Sequence, residues 1–86
     1  MKDYGEEMNK IIKVKKEIFS KRIKDLRVSK GLTIKQLSKK IGMNQSRMSS
    51  WEQNTSFPEV AALINISTFY DISIDYILGI SDKKKI

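Results

Sequence analysis

Apolar residues recur along this chain at helical spacing, and no alternating stretch competes with it. Between residues 6 and 30 there is neither Gly nor Pro. Ile12, Phe19, Ile23 and Leu26 fall seven, four and three apart, which makes one helical face, and Gly31 ends that helix. Thr33-Ile34-Lys35-Gln36 has the form of a capping box, so a second helix starts here and runs to about Ile41. Leu37 and Ile41 face inward, and Gly42 closes the helix because glycine adopts positive φ at little cost. Asn44 is a good N-cap for a third helix, Gln45–Gln53, whose inner side is Met48 and Trp51, with Met43 just ahead of the cap. Asn54-Thr55-Ser56 reads as a polar loop. Pro58 is placed in the first turn of a fourth helix whose buried face is Val60, Leu63, Ile66 and Tyr70. Ser73 caps a short fifth helix, Ile74–Leu78, ended by Gly79, and the tail SDKKKI is expected to fray. The expected fold class is all-α.

Composition narrows what such a chain can do. Its 86 residues suit one small domain with a modest core, of a size that gains from dimerisation. Cysteine and histidine are both absent. That removes disulfides, thiolate metal sites, the commonest metal ligand and the commonest general base, so neither a metal nor another cofactor is expected. Asp71 and Asp75 flank a helix start with no base beside them, and no Ser–Lys pair sits in an apolar pocket pattern, so catalysis is not expected. No apolar run approaches the roughly 18 residues of a membrane span. The N-terminus is acidic where a secretion signal is basic and then apolar, so a cytoplasmic protein is expected.

The net charge of +7 is unevenly placed. Residues 1–57 hold fourteen Lys/Arg against six Asp/Glu, whereas residues 58–86 hold three against four. A polyanion would attract the first part only. A membrane surface fits less well, because the lysines of residues 8–19 surround that stretch rather than share one face.

The third helix carries the candidate chemistry. With Met48 and Trp51 inside, its outward residues are Gln45, Ser46, Arg47, Ser49, Ser50 and Gln53, and none is acidic. Gln and Ser donate and accept at base edges, and Gln45 can pair in two-pronged fashion with adenine. Arg47 reaches guanine or phosphate, and a carboxylate on this face would meet phosphate repulsion. An ordinary solvated face is the alternative, but solvated faces in this chain mix Lys with Glu. Trp51 reads as a core residue rather than a base-stacking one.

The segment RIKDLRVSKGLTIKQLSKKIGMNQSRMSSWEQN, followed by FPEVAALINISTFYDISIDYILG, resembles the Cro and phage-repressor (XRE-type) helix-turn-helix family of transcriptional regulators. The likeness covers about Phe19 to Ile80. It rests on Arg27, Leu32-Thr33, Leu37, Gly42, Trp51-Glu52, Pro58 and Ile72-Ser73-Ile74-Asp75 taken together. It implies a compact five-helix lambda-repressor-like DNA-binding domain, usually homodimeric, over residues 19–80. Residues 1–18 then form a basic N-terminal extension, helical or an arm, and residues 81–86 a tail.

The resemblance also implies roles. Gln45, Ser46 and Ser50 match base-facing positions, with Arg47 beside them. Asn54 and Ser56 fall in the loop that meets phosphate, and the helix start at Thr33 donates a backbone N–H to phosphate. Arg27 and Glu52 match a partly buried ion pair between the first helix and the end of the recognition helix. Two positions depart from the pattern. Ile34 stands where the family commonly has Gln, and Lys35 replaces the usual acid, a change that restores phosphate affinity. Ile34 is left three uses: a thymine methyl, packing on Ile12 or Phe19, or none.

Ile74 and Tyr76 match the two-fold contact of related domains, and Phe57, Ile64 and Phe69 add apolar surface that serves either a larger core or a homodimer. Two recognition helices about 34 Å apart would read a palindrome in double-stranded DNA. In residues 1–18, Asp3 is placed to cap a helix with Glu6, while Tyr4, Met8, Ile11 and Ile18 make a loose stripe among Lys10, Lys13, Lys15 and Lys16. That extension could lengthen the first helix, dock on a second subunit or track the DNA backbone. The leading expectation is a homodimeric regulator occupying an operator. A protein-binding module, such as an antitoxin with this fold or an adaptor using the N-terminal stripe, and a restriction–modification controller are the alternatives.

Overall fold

The computed structural model describes residues 4–85, and the Asp3 cap lies outside them. Five helices follow in order: α1 (Tyr4–Ser29), α2 (Ile34–Ile41), α3 (Gln45–Glu52), α4 (Val60–Tyr70) and α5 (Ile74–Ile77). With Gly5 of its first turn the one breaker inside it, α1 runs for 26 residues, about 39 Å at helical rise. Its C-terminal half packs under the other helices, and its N-terminal half extends beyond them, so the molecule measures 50 × 27 × 21 Å.

Local chemistry sets the ends of α2 and α3. The Thr33 side chain accepts from the Gln36 N–H at 3.1 Å, and the Thr33 N–H donates to the Gln36 side chain at 2.9 Å. Gly42, at φ 72°, turns the chain, and its N–H and that of Met43 both donate to the Ser38 carbonyl, at 2.9 and 3.1 Å. Asn44 then caps α3 by accepting from the Arg47 N–H at 2.9 Å. Two caps within three residues fix the tight turn between the two helices.

The core joins Phe19, Ile23 and Leu26 of α1, Leu37 of α2, Met48 and Trp51 of α3, Ala62, Ile66 and Tyr70 of α4, and Ile77 of α5. Two expected core positions are different. Ile12 is exposed, because it lines an open groove at the edge of the domain rather than the closed core. Val60 is 72% exposed, and α4 buries Ala62, Ile66 and Tyr70 instead, with Leu63 half-buried beside them. Val60, Ile64 and Phe69 make α4 apolar on its outer side too, so periodicity alone does not mark which side faces in. Pro58 precedes the N-cap, Glu59, and is therefore outside α4.

The helix α5 ends at Ile77, one residue earlier than its spacing suggests. Residues 81–84 return to the domain: the Ser73 N–H donates to the Lys84 carbonyl at 2.7 Å, and the Ser73 hydroxyl to the Lys83 carbonyl at 3.1 Å. Arg22 ties this end to α1. Its guanidinium donates to the carbonyls of Tyr76 (2.5 Å) and Ser81 (2.9 Å) and to the Asp82 carboxylate (2.9 Å), and it lies 4.1 Å from the Tyr76 ring centroid.

Candidate nucleic-acid interface

Burial of Met48 and Trp51 fixes the rotation of α3. Gln45, Ser46, Arg47 and Gln53 are left exposed, while Ser49 and Ser50 are half-buried. A buried hydrogen bond secures the same orientation from behind: the Ser20 hydroxyl of α1 donates to the Trp51 carbonyl at 2.7 Å. Nothing in the helical spacing of α1 distinguishes Ser20 from a solvent-facing serine. Only its place between Phe19 and Ile23 hints that it lies inside.

The exposed edge of α3 is not uniform. Gln45 and Ser46 open the helix beside the Asn44 cap. Gln53 turns back along the edge, its side-chain amide donating to the Ser49 hydroxyl at 3.2 Å. Ser50 and Ser56 share a hydrogen bond, and the Ser50 hydroxyl also lies 2.6 Å from the Arg47 carbonyl. The expected base-contacting Ser50 and phosphate-contacting Ser56 are thus brought together as one polar staple between α3 and the loop after it. Asn54 in that loop is exposed and left-handed, at φ 62°. The Thr55 hydroxyl and N–H both donate to the Ser50 carbonyl, at 3.1 and 3.0 Å.

Arg47 is set apart from Gln45 and Ser46. It lies on the flank of α3 nearer α4, with its guanidinium 5.8 Å from the Trp51 ring centroid and 4.0 Å from the Glu59 carboxylate. On α2, Thr33 and Lys35 are exposed, as are Lys39 and Lys40 of the last turn. The capping box occupies the N–H groups of Thr33 and Gln36, leaving those of Ile34 and Lys35 as the orphan donors of the first turn. Ile34 is half-buried and packs against the core.

Arg27 and Glu52 hold α1, the α1–α2 turn and α3 together. The guanidinium donates to the two Glu52 oxygens at 2.8 and 2.9 Å and to the Leu32 carbonyl at 2.7 Å. The side chains are only 14% and 8% exposed. The hydrogen bond to Glu52 holds the Arg27 pKa above its ordinary value. Nearby, burial pushes the Tyr70 hydroxyl up to about 12, with the Glu52 charge adding to the shift and Arg27 opposing it.

The residues expected at a dimer contact are engaged within the chain to different extents. Phe57 packs on Phe19, ring centroids 5.8 Å apart, with the Lys16 ammonium 4.6 Å from its centroid. Arg22 and Lys84 flank the Tyr76 ring. Ile74 is half-buried.

Residues 23–77, which run from the core face of α1 through both capped helices to the end of α5, match the helix-turn-helix family. The chain belongs to that family. Among helix-turn-helix proteins it is 35% identical over 65 residues to the uncharacterized HTH-type transcriptional regulator YobD of Bacillus subtilis, an alignment covering 76% of this chain and 58% of that protein. It is 31% identical over 65 residues to the HTH-type transcriptional regulator ImmR of the same organism, covering 76% of this chain and 51% of that protein. It is also 32% identical over 61 residues to the HTH-type transcriptional activator BcrR of Enterococcus faecalis, covering 71% of this chain and 30% of that protein. The alignments thus span little more than half of the first two relatives and less than a third of the third. No helix among the described residues is long and apolar enough to cross a membrane.

Proposed function

We propose that this chain binds double-stranded DNA as a homodimer, in the cytoplasm, and regulates transcription from a palindromic operator. One observation carries the reading: α3 is held with Met48 and Trp51 inside, so that Gln45 and Ser46 stand uncovered beside the lysine-bearing helix α2. Its relatives' names, which describe transcriptional regulators, support the same conclusion.

In this reading α3 enters the major groove. Gln45 and Ser46 read base edges, and Gln45 suits adenine. Ser50 contributes by holding the helix against Ser56 and, on release of that bond, by reaching the groove. The orphan N–H groups at the start of α2, together with Lys35 and Asn54, position the duplex through phosphate. Arg47 belongs with this second group, because its flank faces α4 rather than the groove floor. Ile34 cannot give the phosphate contact of a Gln, and the Lys35 charge replaces it.

In-vitro selection from random duplexes tests the proposal. Recovery of a two-fold sequence, bound with a log–log salt slope of roughly −5 to −9 for six to ten phosphate contacts, is the expected result. Failure to enrich any sequence would overturn it. The sign of regulation follows from where the selected operator lies relative to a promoter.

A further inference from the structure

The half of α1 that precedes Phe19 carries an exposed apolar surface outside the DNA contacts proposed above. Tyr4, Met8, Ile11, Ile12 and Val14 are all exposed there, Tyr4 at 68%. Met8 and Ile12 continue the face of α1 that bears Phe19, Ile23 and Leu26 in the core, with Tyr4 and Ile11 along its edge, so one apolar stripe passes from the interior out along the projecting helix. At its root lies a groove of about 280 Å³ with an almost wholly apolar wall, including Ile11, Ile12, Phe57, Leu78 and Ile80. Two lysines guard it. The Lys15 ammonium donates to the Gly79 carbonyl at 2.6 Å, and that of Lys16 sits over Phe57. Both charges are therefore fixed at the rim.

An occupant of this groove must be apolar on its inner side and acidic at its margin. The first turns of α1 have that composition. Tyr4 and Met8 are four apart on one face, with Glu6 and Glu7 in the first turn, whereas Lys10, Lys13, Lys15 and Lys16 follow. Charge is thus segregated along the arm. A second copy lying parallel would set like charges together, while an antiparallel copy sets the acidic turn of each arm against the lysine rim of the other. Two-fold symmetry then fills both grooves at once, as a self-complementary interface requires.

We propose that the first four turns of α1 from a second copy lie antiparallel along this face, with Tyr4 and Met8 of each arm in the other's groove and the two-fold axis close to Ile11. The inference rests on the homodimer proposed above and replaces α5 by the α1 arm as its principal contact.

The chain has no cysteine, so single introduced thiols report the geometry directly. Three full-length variants, Ile11→Cys, Tyr4→Cys and Ile74→Cys, are oxidised under mild conditions and resolved without reductant, with folding checked by far-UV circular dichroism. The expected result is a covalent dimer from Ile11→Cys alone. In the antiparallel arrangement the two Tyr4 positions are on the order of 20 Å apart, too far for a disulfide. Sedimentation of Ile11→Glu is expected to show dimerisation weakened at least tenfold, with helix content unchanged. Cross-linking through Tyr4→Cys would overturn the inference in favour of parallel arms, and cross-linking through Ile74→Cys in favour of α5, and either leaves the homodimer standing. A wild-type chain that stays monomeric at high concentration would overturn the homodimer as well, while selection of a DNA sequence would still report on DNA binding separately.

Discussion

Arg27 and Glu52 face each other across the α1–α3 junction as a two-pronged pair, 2.8 and 2.9 Å between nitrogen and oxygen, and both are largely removed from solvent. The pair fixes where α3 ends relative to α1, and the third Arg27 bond, to the Leu32 carbonyl, fixes where α2 begins. One arginine therefore sets the placement of both helices of the helix-turn-helix unit.

Removing one partner of such a pair strands the other charge, at a cost of about 3–5 kcal/mol. Glu52→Ala is expected to lower stability in urea denaturation by that order. Glu59→Ala, whose carboxylate is exposed and 4.0 Å from Arg47, is expected to cost less than about 1 kcal/mol. Equal losses for the two would mean that the buried pair does not anchor α3.

Gln45 and Arg47 are expected to fail differently in DNA binding. Gln45→Ala should weaken binding to a selected site by ~1–3 kcal/mol and relax preference at one or two positions. Arg47→Ala should weaken all sequences alike and reduce the salt slope by about one. Titration of selected and scrambled duplexes at several salt concentrations separates the two patterns. Loss of preference in Arg47→Ala would place it at a base edge instead.

Tyr70 links stability to alkaline pH. Its hydroxyl is buried without a hydrogen-bond partner among the described residues, and its pKa is pushed up to about 12 from an ordinary 10. Below pH 10 the group is neutral in folded and unfolded chains alike, and it adds no pH dependence. Between about 10 and 12 the unfolded chain ionises first, so stability falls as pH rises. Tyr70→Phe removes this contribution and the unpaired hydroxyl together. It is expected to be at least as stable as the parent at pH 7 and to lose less stability by pH 11.5, as read from denaturation midpoints.

Gly79 joins α5 to α1. At φ 74°, an added Cβ would lie 2.8 Å from the Ile18 side chain, whereas at Gly31, φ 68°, nothing lies within 4 Å. Both Gly→Ala changes carry the left-handed backbone cost of about 1 kcal/mol. Only Gly79→Ala adds overpacking against α1, a further ~1–3 kcal/mol. A larger loss at Gly79 than at Gly31 in thermal unfolding is the expected outcome.

The amino-acid sequence by itself determined the capped unit at the centre. Thr33 and Gln36, Gly42, and Asn44 act on backbone groups three or four residues away, and Met48 and Trp51 are three apart on one turn of α3, so short-range chemistry suffices to read them. The tertiary structure alone decided what depends on distant partners. Ile12 is exposed because the groove it lines with Phe57 and Leu78 is left open, and Val60 turns out because Ala62 and Ile66 of an all-round apolar helix meet the core. Residues 81 and 82 are held because Arg22, some sixty positions earlier, supplies the donors, and Lys83 and Lys84 because Ser73 does. Ser50 and Ser56 pair because the loop folds back on α3. Caps and helical faces are local properties of the chain, whereas the choice of partner for each face is made only when the helices close on one another.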